Sequence, residues 1–203
     1  LRRQRQMCIR DRRIRGEVFY SSRYEPWAAV LSHGQEPGYD PLAFAIEECH
    51  KRAIECHAWL VTFPVGSNRQ VKKQGRSSVV ARHRSWCKQL SGEWFLDPGN
   101  PAVKDYLRAL VGEVVSKYDV DGIHLDYVRY PDNAMKFPDT DSFRKWGSRS
   151  KSLFRWREDN ITGIVTAIYE EVKRLKPWVK VSSSPLGRYA SLEGCLLYTS
   201  PSP

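Results

Sequence analysis

The segment Gly122-Ile123-His124-Leu125-Asp126-Tyr127 alternates small or polar residues with branched apolar ones. As a strand it turns Ile123 and Leu125 to one face and Gly122, His124 and Asp126 to the other. That parity places Asp126 as a carboxylate at the C-terminal end of a strand, where parallel barrel enzymes keep their acids, bases and nucleophiles. Asp126 is the leading catalytic candidate; its structural alternative is a loop cap or a pair with Arg129. Asp121, at the opposite end of the strand, reads as structural. The same parity in Glu55–Thr62 (ECHAWLVT) sends His57 and Trp59 inward and Cys56, Ala58 and Leu60 outward. His57 and His124 are candidates for binding a substrate, against the plainer role of satisfied interior histidines. No HxH, HExxH or CxxC spacing occurs, so neither a metal nor any other cofactor is expected.

Three segments have the period and punctuation of helices that could position these strands. Asp40 can cap a helix with Pro41 at its first position, followed by Leu42, Ala45, Ile46, Cys49 and Ala53 on one stripe. Asn100-Pro101 repeats the start signal ahead of Val103, Leu107, Leu110, Val111, Val114 and Val115. A third helix is predicted from about Asp159, with Ile161, Ile164, Val165, Ile168, Val172 and Leu175 in register, ending before Pro177. Each leads into a short apolar run: 55–62, 122–127 and 179–184. Ser182 and Ser184 share a face with Lys180, with either face open to them. Trp94–Leu96 suggests a short extra strand cut off by Asp97-Pro98-Gly99, and a short helix is expected near His83–Leu90. Helices alternating with strands imply an α/β fold with a parallel sheet. No glycine-rich turn marks an open doubly wound sheet, so the prediction is a partial (β/α)8 TIM barrel.

The chain has 203 residues, a mean hydropathy of −0.56 and a formal net charge of +10. These values suit a globular domain, and no apolar run approaches the length of a membrane helix. Residues 2–12 (RRQRQMCIRDR) resemble a translated frame of a sequencing adapter, and residues 195–203 (CLLYTSPSP) a frame of the opposite adapter. The expected division is therefore 1–12 and 195–203 as adapter-like ends around a domain segment at 13–194. The five arginines and one aspartate of residues 2–12 carry +4, which leaves +6 for the remainder. Without that N-terminal arm nucleic acid is not an expected partner. Three cysteines then remain, Cys49, Cys56 and Cys87, which fit neither a disulfide framework nor a zinc site.

Several stretches carry a family resemblance: RIRGEVFYSSRYEPW (13–27), PGYDPLAFAIEECHKRAIECHAWL (37–60), WFLDPGNPAVKDYL (94–107), YDVDGIHLDYVRYP (118–131) and KPWVKVSSSPLGRY (176–189). In order and nearly without gaps, they resemble the glycosyl hydrolase-like 10 family of bacterial barrel proteins. The resemblance implies a barrel that begins upstream of residue 13, with this segment running from the end of strand two to just past strand five. It also implies an O-glycosyl hydrolase of the cell envelope or a secreted one, acting on a bacterial polysaccharide, with cell-wall glycan favoured. A weaker likeness to chitinases fails at His124 and at Val128, which stands where their proton-donating glutamate would be.

Hydrolysis of a glycosidic bond normally uses two carboxyl groups. Glu25, in the xEPW pattern, is the expected partner of Asp126, desolvated by Trp27; Asp97 and Glu17 come next. Arg15, Trp59, Asp97, Tyr127, Arg129 and Tyr130 are expected at the substrate, the rings stacking on sugars and the arginines bonding hydroxyls or carboxylates. A carbohydrate-binding barrel without catalysis is the alternative function. An open half-barrel leaves strand edges and one inner face uncovered, so 13–194 alone is expected to be neither stable nor active.

Overall fold

Two proline-started helices frame the strand layer, and their caps form as the sequence requires. The Asp40 side chain accepts from the backbone N–H groups of Leu42 and Ala43, and the Asn100 side chain from that of Ala102. The computed structural model describes residues 7–132, 134–147 and 152–184, with backbone alone at 7–12 and 14. Residues 1–6 and 195–203, the outer parts of the adapter-like ends, lie outside the described residues, as does the LGRY end of the last family-like stretch.

In chain order the elements begin with β1 (Met7–Ile14), β2 (Glu17–Val18), α1 (Ala29–Ser32), α2 (Pro41–His50) and β3 (Glu55–Val61). A small excursion follows: β4 (Pro64–Ser67), α3 (Asn68–Gln74), α4 (Val79–Arg82), β5 (Cys87–Leu90) and β6 (Glu93–Leu96). The chain continues through α5 (Pro101–Lys117), β7 (Gly122–Asp126), α6 (Thr140–Trp146), α7 (Leu153–Leu175) and β8 (Lys180–Ser183).

The main sheet has the order β2-β1-β3-β7-β8, in which β1, β3, β7 and β8 are parallel and β2 folds back antiparallel on β1. Successive parallel strands are neighbours, and each crossover from β3 onward carries a long helix. This is the repeating unit of a (β/α)8 barrel, and the chain forms part of one. The backbone of residues 7–12 lies within β1, paired with β3.

Side-chain parity sorts the sheet into an oily face and a polar one. Cys56, Ala58, Leu60, Ile123 and Leu125 are buried against α2, α5 and α7, which supply Leu42, Ile46, Val103, Leu107, Val111, Val114, Ile161, Ile164 and Ile168. The helices pack because their 3.6-residue stripes meet this branched surface, as the periodicity predicts. Three boundaries differ from the sequence reading. The last helix starts at Leu153 rather than near Asp159, because Ser152 caps it by accepting the Arg155 N–H at 3.2 Å. Residues Cys87–Leu90 form a strand and not a helix. Ser91 and Gly92, both left-handed (φ 51° and 82°), make the two-residue turn that folds β5 onto β6. β4 completes that antiparallel sheet, ordered β4-β6-β5, which had been expected only at Trp94–Leu96.

Gly122 shows how tightly the inner face is built. A Cβ there would sit 2.4 Å from His57 Nδ1, the residue beside it on β3. Only a residue without a side chain lets the buried imidazole lie across the strand. We expect Gly122→Ala to destabilise the fold by about 1–3 kcal/mol, the range for overpacked interiors. Chemical denaturation should show it as a lowered midpoint.

Candidate functional site

The inner face is layered by strand register. His57 of β3 and Lys180 of β8 flank Gly122 in the lowest layer. Trp59, His124 and Ser182 form the next, and Val61 and Asp126 the uppermost, with Ser184 just past the end of β8. The lowest layer is an ionic chain: Lys180 Nζ donates to Glu55 at 2.6 Å, and the same carboxylate oxygen lies 3.3 Å from His57 Nε2. In the middle layer the His124 ring is held at both nitrogens, Nδ1 by Ser182 Oγ at 2.8 Å and Nε2 by Ser184 Oγ at 2.7 Å. Burial lowers the His124 pKa below the ordinary histidine value and His57 adds to this, against the opposing charge of Asp126.

Asp126 closes β7 with its carboxylate partly exposed at the C-terminal rim. Its Oδ1 accepts the N–H of Tyr127 at 2.8 Å, and its carbonyl accepts the N–H of Thr62 at 2.8 Å. Tyr127 holds a left-handed backbone (φ 48°), a conformation that costs a non-glycine residue and concentrates at functional sites. The kink throws the Tyr127 ring outward, where it is half exposed, with the Arg129 guanidinium 4.6 Å from its centre.

That ring lines a cleft of about 130 Å³ together with Arg15, Glu93, Phe95, Arg129 and Asp132. Two tight hairpins build one wall. Arg15 and Gly16 (φ 49° and 75°) form the β1–β2 turn, and Glu93 opens β6 immediately after the Ser91-Gly92 turn. The two meet where Arg15 Nη1 donates to Glu93 at 3.2 Å. Arg129 is mostly covered, 3.9 Å from the exposed Asp132 carboxylate, and its Nε has no hydrogen-bond partner among the described residues. The cleft therefore offers two cations, two carboxylates and an aromatic face. Hydroxyl groups, which donate and accept, suit that lining.

The structure brings Arg15, Tyr127 and Arg129 together at this cleft, with Tyr130 buried behind its lining and Trp59, His124 and Asp126 on the inner face of the sheet. It separates others from any substrate. Glu25 is buried: it takes a bidentate pair from Arg13 (2.8 and 2.9 Å) and the Tyr106 hydroxyl at 2.8 Å. A carboxylate so enclosed has no open path to a glycosidic oxygen, which corrects its reading as the partner acid. Asp97 is fully buried, accepting from Gly99 N–H and Ser142 Oγ, and burial raises its pKa. It braces the turn before α5 and is not a substrate contact. His57 is 2% exposed beneath the face, and the Tyr130 ring is wholly buried edge-on to Phe137, so neither can meet a sugar as predicted. Glu17 is spent on the Ala29 N–H and Gln74. Asp121 accepts from the Cys56 N–H and pairs with His50 at the far end of the sheet.

Sequence reasoning did not single out Glu93 and Asp132, which line the cleft, or Ser182 and Ser184 as the partners of His124. The Ser-Gly pair before Glu93 was a hairpin signal that could have placed it.

A sequence profile of the family described as "Glycosyl hydrolase-like 10" matches residues 10–200. The chain is 36% identical over 177 residues to "Glycosyl hydrolase YngK" of Bacillus subtilis (strain 168), spanning 84% of this chain and 35% of that protein. It is 33% identical over 184 residues to "Glycosyl hydrolase DigH" of Escherichia coli (strain K12), spanning 85% of this chain and 42% of the relative. The chain thus covers well under half the length of either. Among solved structures it superposes on an alpha-L-fucosidase isoenzyme 2 from Paenibacillus thiaminolyticus with a TM-score of 0.57 at 18% identity, covering 93% of this chain and 28% of that one. An alpha-galactosidase from Lactobacillus brevis gives 0.51 at 14% identity, covering 93% and 24%. These two share the fold.

The buried Arg13–Glu25 pair makes its own prediction. Removing one partner strands a charge, whereas replacing both with apolar side chains does not. We expect Glu25→Leu to cost about 3–5 kcal/mol, and the double variant Arg13→Met/Glu25→Leu to recover most of it. A double-mutant cycle by denaturant titration of the full-length protein reads this directly.

Proposed function

Because the chain belongs to the glycosyl hydrolase-like 10 family, we propose that it carries part of the active site of a glycoside hydrolase cleaving a bacterial polysaccharide. The observation that carries the reading is Asp126: a carboxylate at the C-terminal rim of an inner strand, one residue before Tyr127, which lines a cleft suited to sugar hydroxyls. The names of the relatives from B. subtilis and E. coli agree with hydrolysis.

In this reading Asp126 is one of two carboxyl groups that flank the scissile bond, one protonating the leaving oxygen and the other acting as base or nucleophile. With Glu25 enclosed, the partner comes from the rim loops, where Glu93 and Asp132 line the cleft. Tyr127 gives the sugar an apolar face, and Arg15 and Arg129 donate to its hydroxyls. The favoured substrate is cell-wall glycan, which places the protein in the envelope or outside the cell. Among the described residues no helix is long and apolar enough to cross a membrane.

The test uses the full-length protein carrying this segment and measures new reducing ends released from cell-wall glycan, chitin and neutral glucans. We expect cleavage of cell-wall glycan, reduced about a hundredfold or more in Asp126→Asn. Glu93→Gln and Asp132→Asn identify the partner as the one with a comparable loss. Glycan binding without cleavage in the unaltered protein would sink the hydrolase reading in favour of a carbohydrate-binding barrel.

A further inference from the structure

The imidazole of His124 lies between two hydroxyls of the neighbouring strand, 2.8 Å from Ser182 Oγ and 2.7 Å from Ser184 Oγ. A neutral imidazole carries one N–H and one bare nitrogen, so it donates to one serine and accepts from the other. Ser182 Oγ also lies 3.5 Å from the carbonyl of Ile123, a long contact to which its hydrogen can turn. With its hydrogen turned to that carbonyl, Ser182 accepts from Nδ1–H, and the bare Nε2 accepts the hydrogen of Ser184. Ser184 is then left with two open lone pairs. It is exposed, and its backbone N–H pairs with the Leu125 carbonyl, which sets it on the rim beside Asp126.

We propose that Ser184 is a substrate-contact residue that accepts a hydrogen bond from a sugar hydroxyl next to Asp126, and that His124 is the positioning residue that fixes its polarity. The inference rests on the glycan-site reading and adds a specificity determinant to it: a hydroxyl, and not only an acceptor, at that point of the sugar.

The arrangement responds to pH. The charged and titratable groups that act on the ring are Asp126 of β7 and His57 of β3, while Lys180 of β8 is held one layer below by Glu55. Burial lowers the His124 pKa, Asp126 opposes this and His57 adds to it, so the balance favours the neutral ring. When it protonates, both nitrogens donate; Ser184 accepts from Nε2–H and turns its own hydrogen outward. The substrate hydroxyl then meets a donor and one lone pair instead of two lone pairs.

The experiment compares wild type, Ser184→Ala and Ser184→Thr in the full-length protein on whichever glycan the wild type cleaves, or on binding where it only binds. We expect Ser184→Ala to raise KM, or Kd, about tenfold, the loss of one hydrogen bond to a ligand, with Thr restoring most of it. Wild-type KM should rise as pH falls through the His124 titration, and this dependence should flatten in Ser184→Ala, which a structural role would not produce. The 15N imidazole spectrum of His124 at neutral pH should show the Nδ1–H tautomer, with no glycan present. An unchanged KM and pH profile in Ser184→Ala, or an Nε2–H tautomer, overturns the inference while leaving the hydrolase reading intact. A wild type that neither binds nor cleaves any glycan overturns the glycan reading and the Ser184 contact together.

Discussion

A guanidinium enclosed in protein must have its donors met, and Arg13 meets this demand by drawing four parts of the chain to one point. Its Nε and Nη2 grip Glu25 from the loop after β2, while Nη1 donates to the carbonyls of Val61 and Thr62 where β3 ends. Tyr106 of α5 completes the coordination of Glu25. The Thr62 N–H in turn holds the carbonyl of Asp126. A single charge with no access to water thus ties the loop after β2 to the end of β3, where the ladder to β7 reaches the rim. The Coulombic attraction offsets desolvation because Nε, Nη1 and Nη2 of Arg13 and both oxygens of Glu25 are hydrogen-bonded.

The strands obey two solvents at once. Toward the helices they show alanine, leucine, isoleucine and cysteine; toward the interior they show histidine, lysine, serine and aspartate. Part of the polar face is satisfied across the strands, Lys180 with Glu55 and His124 with two serines, while the buried His57 Nδ1 and Trp59 Nε1 have no hydrogen-bond partner among the described residues. Gly122 contributes by absence, making room for an imidazole that a methyl group would displace.

Local rules made much of this legible. The Asp40-Pro41 and Asn100-Pro101 starts, the apolar stripes of α5 and α7 and the parity of β3 and β7 all follow from short-range chemistry. The partner of Glu25 was not legible, because an ion pair across twelve residues depends on how the loop after β2 folds back. Asp97 misled for a similar reason: an LDPG turn looks solvent-facing until α6 covers it with Ser142. Tyr130 reads as a platform beside Tyr127, yet three residues past the kink the chain directs it inward to Phe137. The face of Lys180 became definite only through its bond to Glu55.

Rim segments that follow barrel strands are commonly long loops whose freedom must be lost when a ligand arrives. Here Arg15 and Glu93 sit instead at the tips of two-residue hairpins, each backed by a main-chain ladder and braced against the other. Much of their ordering is complete before any ligand approaches. A wall of this kind is a rigid template: a ligand that docked against it would have to match its shape, because the protein has little slack with which to follow.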